Sequence, residues 1–244
     1  MFEKDNFDNA GYLIKKNFFN IKLIAKIFKD LDDENAKVKK NLLGLVSSNL
    51  IEKNSIAIEN GNIKYLKNPQ IYFKSINFLV QLSLIDLCEK LIGENIYVDA
   101  IELHQKYPEA TETPPHQDNF YMCLKKGKAL TAYIPLNDQS FENGALAVLP
   151  GSHKNDLEHY SSDIPGFSSG IVLNNIQKKQ INYYTLKAGD LSIHHCNIVH
   201  LAPPNKSKIP RINVAIRLRS LTDSIDDIRL EKYKKFRNAS VRIA

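Results

Sequence analysis

Two histidines and an aspartate carry the spacing of a metal site. His116 and Asp118 are two residues apart in the segment Thr113-Pro-Pro-His-Gln-Asp-Asn-Phe. If this segment is a β-strand, both side chains point to one face, because side-chain direction alternates along a strand. His200 closes the later segment that begins at Gly189 and is the best candidate for a third ligand. Three protein ligands leave room for substrate at an Fe(II), Mn(II) or Zn(II) ion.

The third ligand has a competitor on its own strand. His194 and His195 precede His200 in Leu191-Ser-Ile-His-His-Cys-Asn-Ile-Val-His200. His194 would share a face with His200, whereas His195 would point away. The spacing therefore argues against His195 and leaves His194 as an alternative. Two histidines and a carboxylate with open positions form the facial triad of non-haem Fe(II) oxygenases.

An arginine follows the distal histidine at a distance that allows a hairpin return. Arg211 lies eleven residues beyond His200, across a loop that contains Pro203 and Pro204. A guanidinium is always charged and binds a carboxylate through two parallel hydrogen bonds. An inward arginine beside a metal would anchor a dicarboxylate co-substrate. The alternative for a single arginine on a strand is a solvated surface position.

A second pair of side chains is a candidate for the substrate pocket. His104 and Lys106 lie on a strand that leads towards the His116 segment, in company with Glu102. Alternation places all three on one face. They either line the pocket or form a solvated sheet edge.

The elements that must position these residues change character along the chain. Residues 1–60 have apolar positions at helical spacing, with a break predicted at 30–34, and residues 73–91 predict a helix capped by Gly93. From residue 96 onward, short strands are separated by Gly, Pro and Asn turns, the pattern of a jelly roll. Residues 153–180 are polar and irregular, as in a lid or the wall of a site.

We therefore predict a mainly β (α+β) fold in one domain, residues 1–244. Residues 1–92 form a mostly helical buttress packed on one sheet, residues 93–220 the jelly-roll core, and residues 221–244 a helical tail.

Composition excludes several classes of function. The net charge of +6 is scattered rather than gathered in a basic stripe, which argues against nucleic-acid binding and slightly favours an anionic small-molecule substrate. The three cysteines are odd in number and widely spaced, as expected for free thiols in a reducing cytoplasm. No apolar run is long enough for a signal peptide or a membrane span. We predict a cytoplasmic protein, and nothing in the sequence indicates its oligomeric state.

Taken together, the motifs resemble the phytanoyl-CoA dioxygenase-like family. The resemblance covers about residues 60–220 and rests on an ordered set: His116-Gln-Asp118, Phe141-Glu-Asn-Gly-Ala-Leu-Ala-Val-Leu-Pro-Gly-Ser-His153, Gly189-Asp190 to His200, Asn205, Ser207 and Arg211. It implies a double-stranded β-helix (cupin-like) core and an oxygenase that uses Fe(II), 2-oxoglutarate and O2.

The resemblance also implies roles for individual residues. His116, Asp118 and His200 would ligate iron, and Arg211 would hold the far carboxylate of 2-oxoglutarate. Tyr133 would line the co-substrate pocket, and Gln117 is a weaker candidate for the same contact. Relatives often have a serine two residues after the distal histidine, where this chain has Ala202. The intact Asp118 argues against the halogenating relatives, which have a small residue there.

The function expected from this resemblance is hydroxylation of a C–H bond in a small molecule, with release of succinate and CO2. Two alternatives remain. A metal-dependent hydrolase could use the same His/Asp/His site with an activated water, but it would have no use for Arg211. A non-catalytic cupin-like module could bind a metal or ligand without turnover.

Overall fold

The computed structural model of the chain describes residues 2–47, 55–59, 62–162 and 168–240. Its α-helices are α1 Phe2–Ala10, α2 Ile21–Ser47, α3 Leu82–Ile92, α4 Asn119–Met122, α5 Asn175–Lys179 and α6 Asp227–Ser240. Short 3-10 helices occupy Pro69–Ile71, Lys74–Leu79, Phe141–Asn143 and Ser152–Lys154. Among the helices of the described ranges, none is both long and apolar enough to span a bilayer.

The strands within these ranges build two main antiparallel sheets. In chain order they are β1 Tyr12–Lys15, β2 Ile56–Glu59, β3 Asn62–Lys67, β4 Ile96–Lys106, β5 Thr113–His116, β6 Ala129–Pro135, β7 Ala147–Val148, β8 Tyr160–Ser161, β9 Ser169–Gly170, β10 Asn182–Tyr183, β11 Leu191–His195, β12 His200–Ala202 and β13 Arg211–Ser220. The large sheet has the order β1-β11-β6-β13-β4-β3-β2, and the small sheet has the order β10-β7-β12-β5. A separate hairpin pairs β8 with β9. This is the jelly roll that the strand spacing predicts.

The large sheet has an apolar outer face covered by helices. On β13, Val214, Ile216 and Leu218 are fully buried there and join one core with residues of α2 and α3 such as Ile27 and Leu84. The N-terminal helices therefore pack on one sheet, as predicted. The alternate residues of the same strands point inward, towards the small sheet.

The inner face is polar although it is also buried. Arg211 and Asn213 alternate with the apolar residues of β13, and Ser192 and His194 do the same on β11. Strand register places Arg211 opposite Lys106, and Asn213 opposite His104. The functional candidates thus project from one face of a sheet whose other face holds the core.

Three local predictions in the N-terminal half were wrong. Tyr12–Lys15 is the edge strand β1 rather than helix, because its backbone pairs with β11. The break predicted at 30–34 is absent, since α2 continues through it with exposed carboxylates and ion pairs such as Lys26–Asp30 at i,i+4. Residues 73–91 do not form one helix but a 3-10 turn followed by α3.

Three further predictions concern the end of α3, the insertion at 153–180 and the C-terminal tail. Gly93 ends α3 with φ 77°, the left-handed conformation expected of a C-terminal cap. The insertion at 153–180 contains β8, β9 and α5, and its residues 163–167 lie outside the described ranges. The tail is helical, as predicted, from Asp227.

Candidate metal centre

The two predicted histidine ligands face each other across the small sheet. β5 ends at His116 and β12 begins at His200, and their Cα atoms are partners in the antiparallel register. Opposite residues on neighbouring strands share a face. Their ring centroids accordingly lie 4.1 Å apart. The register explains how residues so distant in sequence meet.

Asp118 lies beside the two histidines, but it is not on a β-strand as its spacing predicts. The strand ends at His116, and Asp118 sits at the start of α4 with φ −56° and ψ −34°. The turn into this short helix, rather than strand alternation, directs its carboxylate. Its Oδ1 lies 3.7 Å from His116 Nε2 and 3.5 Å from His200 Nε2. The three donor atoms all fall within 4.8 Å of one another.

Both histidines present the nitrogen that a metal needs. His116 Nδ1 lies 2.8 Å from the Pro114 carbonyl oxygen, and His200 Nδ1 lies 3.2 Å from that of Ile198. A carbonyl only accepts, so each Nδ1 carries the hydrogen and donates it. The lone pair is then on Nε2, which faces Asp118. A hydrogen bond from the ring nitrogen that does not face the metal is typical of metal-ligating histidines.

The protonation states also suit a divalent cation. Burial lowers the pKa of His116 and lowers the pKa of His200 to about 3. Burial alone would raise the pKa of Asp118, but the surrounding imidazoles outweigh it, so this pKa lies well below its usual range. Two neutral imidazoles and a carboxylate are the forms that bind a metal. The donor set therefore fits Fe(II) by residue type and protonation state.

Two more side chains approach the carboxylate from its other oxygen. Thr131 Oγ1 donates to Asp118 Oδ2 at 2.9 Å, and His194 Nε2 lies 3.7 Å from that oxygen. His194 is outside the group of three donors, so the alternative in which it replaces His200 was wrong. Thr131 was not singled out from the sequence. Its position two residues before Tyr133 on β6 was the available signal.

Arg211 lies at the other end of the site as a buried cation. Its Nη1 donates to Tyr133 Oη at 2.8 Å and to Asn213 Oδ1, and the residue is 7% exposed. Its Nε has no hydrogen-bond partner, and no carboxylate of the described residues pairs with the guanidinium. A buried unpaired charge is costly, so this position is suited to an anion from outside the chain.

One strand spans the interval between the metal site and the arginine. On the inner face of β6, Thr131 contacts Asp118 and Tyr133 contacts Arg211. Two residues of a strand rise about 7 Å. A five-carbon dicarboxylate such as 2-oxoglutarate fits an interval of this order. The residues present thus suit both the metal and the co-substrate that the sequence suggests.

Gln117, the weaker candidate for binding the co-substrate, makes its side-chain hydrogen bonds to the main chain. The Gln117 amide is used by the main chain, since Nε2 donates to the Asn155 and Asn197 carbonyls and Oε1 accepts from the Leu157 N–H. This placement does not support the predicted contact with the co-substrate. Gln117 instead ties the metal segment to two loops.

Lys106 and His104 differ from each other. Lys106 Nζ donates to the carbonyls of Ala202 and Pro203, directly after the distal histidine. Burial, together with the Arg211 charge, lowers the pKa of Lys106 to about 7. These contacts use two of the three ammonium hydrogens of Lys106, and its pocket role stays a prediction. His104 lies 3.4 Å from a Glu102 oxygen and packs on Tyr65, so it remains a pocket candidate.

Comparison with known proteins places this site in a family. The chain matches the model of the family described as Phytanoyl-CoA dioxygenase (PhyH) over residues 7–213. It belongs to the phytanoyl-CoA dioxygenase family. The enzyme class is that of the 2-oxoglutarate-dependent non-haem iron dioxygenases, which use Fe(II), 2-oxoglutarate and O2.

Individual relatives and solved structures resemble the chain over half of its length or more. A probable alpha-ketoglutarate-dependent hypophosphite dioxygenase of Stutzerimonas stutzeri is 29% identical over 83% of this chain and 72% of its own. The 1-deoxypentalenic acid 11-beta-hydroxylase of Streptomyces exfoliatus is 31% identical over 52% of this chain, which spans half of that relative. EctD from S. alaskensis, solved with 2-oxoglutarate and 5-hydroxyectoine, has a TM-score of 0.70 at 19% identity, covering 91% of this chain and 77% of EctD. This last likeness supports the fold.

Proposed function

We propose that this dioxygenase hydroxylates a C–H bond of a small polar molecule. Substrate, 2-oxoglutarate and O2 would be converted to hydroxylated product, succinate and CO2. One atom of O2 would enter the hydroxylated product and the other would enter succinate. The observation that carries the proposal is the presence of the His116/Asp118/His200 group near a buried Arg211 that has no carboxylate partner among the described residues.

The proposed roles follow from the contacts. His116, Asp118 and His200 would hold Fe(II), with His116 Nε2, Asp118 Oδ1 and His200 Nε2 as the donor atoms. Bound iron supplies O2 activation coupled to the decarboxylation of 2-oxoglutarate. Arg211 binds the far carboxylate, and Tyr133, which already accepts from the guanidinium at 2.8 Å, fixes its orientation.

The substrate pocket lies on the inner face at the β3–β4 side of the site. Glu102 Oε1 accepts from Tyr65 Oη at 2.9 Å and lies 3.3 Å from Arg217 Nη2, and His104 stands at the other oxygen. This wall offers hydrogen bonds and charges rather than apolar surface. A small polar substrate suits it better than a long acyl chain. The preference for an anionic substrate rests on the net charge of +6.

The hydrolase and the non-catalytic module are less well supported. A hydrolase would use the metal to activate water. Its reaction would not need the buried Arg211 at the other end of the site. The family match also argues against both. We further place the protein in a reducing compartment, the cytoplasm, because all three cysteines are free and buried.

The arginine provides the sharpest test of the proposal. In Arg211→Ala, we expect the KM for 2-oxoglutarate to rise by about 100-fold, because a buried charge-assisted bidentate contact is worth roughly 3 kcal/mol. Succinate formation with Fe(II) and ascorbate measures this. Arg211→Lys should recover only part of the affinity, since an ammonium lacks the planar pair of donors.

The matched control is Arg219→Ala, which removes an arginine from the far end of the same strand. This variant should keep the wild-type KM. An unchanged KM in Arg211→Ala would remove the assignment of the co-substrate site, and absence of any succinate from the wild type would remove the proposed function. A panel containing hypophosphite, ectoine and an acyl-CoA, read out by succinate, tests the substrate class.

A further inference from the structure

His194 is a buried polar side chain that the proposed reaction does not yet use. It lies on the inner face of β11, between the fully buried Ile193 and half-buried His195, and is 2% exposed. Neither of its ring nitrogens has a hydrogen-bond partner within the described part of the chain. An imidazole without partners destabilises the fold, because it loses its hydrogen bonds to water on burial. A role for His194 in the metal site would explain why this imidazole is buried there.

The neighbouring carboxylate has two oxygens in different surroundings. Asp118 Oδ1 faces both ligand nitrogens, at 3.7 Å and 3.5 Å. Oδ2 faces the large sheet, where it accepts from Thr131 Oγ1 at 2.9 Å and lies 3.7 Å from His194 Nε2. The register makes His194 the direct cross-strand partner of Thr131. Both side chains thus approach the same oxygen from neighbouring strands.

We propose that His194 is a positioning residue that, with Thr131, holds Asp118 Oδ2 away from the metal and restricts the carboxylate to ligation through Oδ1. A small shift of either side chain brings Nε2–H into hydrogen-bonding range of Oδ2. The inference rests on the proposed iron site. The consequence is for co-substrate binding: a carboxylate restricted to one oxygen would leave more room at the bound metal for 2-oxoglutarate.

Substitution at His194 should act on co-substrate binding without abolishing metal binding. In His194→Phe a planar aromatic ring still fills the position, but both nitrogens are lost. Asp118 Oδ2 would then be free to turn towards the metal site and would compete there with 2-oxoglutarate. We expect the Kd of 2-oxoglutarate for the Mn(II)-loaded protein to rise about tenfold, in the range typical for loss of an outer hydrogen bond to a ligand. His194→Gln retains a donor and should stay within about threefold of the wild type.

The measurement is calorimetric titration of Mn(II) into the metal-free protein, and then of 2-oxoglutarate into the Mn(II)-loaded protein, without turnover. His195→Gln is the matched control, because it removes the adjacent imidazole, which points to the other face. Thr131→Val removes the second donor to Oδ2 with little change in shape, and should also weaken 2-oxoglutarate binding. It carries the test if His194→Phe does not fold.

Three results would overturn the inference. The first is wild-type affinity for 2-oxoglutarate in both His194→Phe and Thr131→Val. The second is complete loss of Mn(II) binding in His194→Phe, which would make His194 a ligand. The third is a His194→Gln variant as impaired as His194→Phe. Failure of the wild type to bind Mn(II) and 2-oxoglutarate is a different result, since it would reject the proposed function itself.

Discussion

The two faces of the large sheet are both buried but are built from opposite chemistry. On β13 the outward residues Val214, Ile216 and Leu218 are fully buried and pack against the helices. The inward residues Arg211 and Asn213, on the same strand, are also buried but polar. One strand thus supplies the apolar core with one set of side chains and the site with the other.

The difference shows where stability and function are separated in this fold. Apolar burial stabilises by about 25 cal/mol per Å², whereas a buried polar group at best recovers the hydrogen bonds that it lost to water. The inner face contains buried polar atoms without partners, including Arg211 Nε and both His194 nitrogens. Substitutions on the two faces should therefore have separable effects.

The largest effect is expected on the inner side of the comparison. Asp118→Ala removes the only anionic ligand of the His116/Asp118/His200 group. We expect succinate formation to fall by about 1,000-fold or more, equivalent to roughly 4 kcal/mol of activation free energy. Thermal unfolding of the metal-free protein should change little. A variant with a tenth of wild-type activity would show that the metal is held elsewhere.

The outer face should respond in the opposite sense. Ile216→Ala leaves a cavity at a fully buried position on β13, so the free energy of unfolding should fall by about 2–5 kcal/mol. Chemical denaturation measures this loss. At a temperature where the variant is folded, its KM for 2-oxoglutarate should match the wild type. A large change in KM would mean that the two faces are coupled through the strand.

A smaller effect is expected from pH, and it involves a histidine on the outward side. Burial lowers the pKa of His195 to about 4 from its ordinary value of 6.5. Between pH 6.5 and 4 the imidazole is protonated in the unfolded chain but neutral in the folded chain. The free energy of unfolding is therefore highest above pH 6.5 and decreases as the pH falls towards 4. This one group accounts for at most about 3 kcal/mol. His195→Gln should flatten the pH dependence of unfolding of the metal-free protein between pH 7 and 4.5.

The site was largely predictable because its chemistry depends on residue types at fixed spacing. His116, Asp118, His200 and Arg211 were identified from the sequence, and the structure brings the first three together and buries the fourth. The reason given for Asp118 was wrong, since a helix start and not a strand directs it. The helix start also directs the carboxylate towards the two histidines, so the predicted set of three donors is unchanged.

The missed elements depend on tertiary pairing, which local sequence does not reveal. Tyr12–Lys15 has an apolar pattern compatible with a helix, and its pairing with β11 decides otherwise. Thr131 and Asn213 belong to no recognisable motif, and only their contacts with Asp118 and Arg211 give them a role. The contacts of Lys106 with the Ala202 and Pro203 carbonyls likewise join positions 96 and 97 residues apart, which local sequence does not reveal.

The edge strand β1 has a consequence for how the protein forms. It belongs to the first fifteen residues of the sequence, yet its partner β11 begins at Leu191. During synthesis, β1 cannot pair with β11 until most of the other strands have left the ribosome. Pairing of β1 with β11 is therefore a late event that closes a long loop at a cost in chain entropy. Until it occurs, the strand that carries His194 has an open edge.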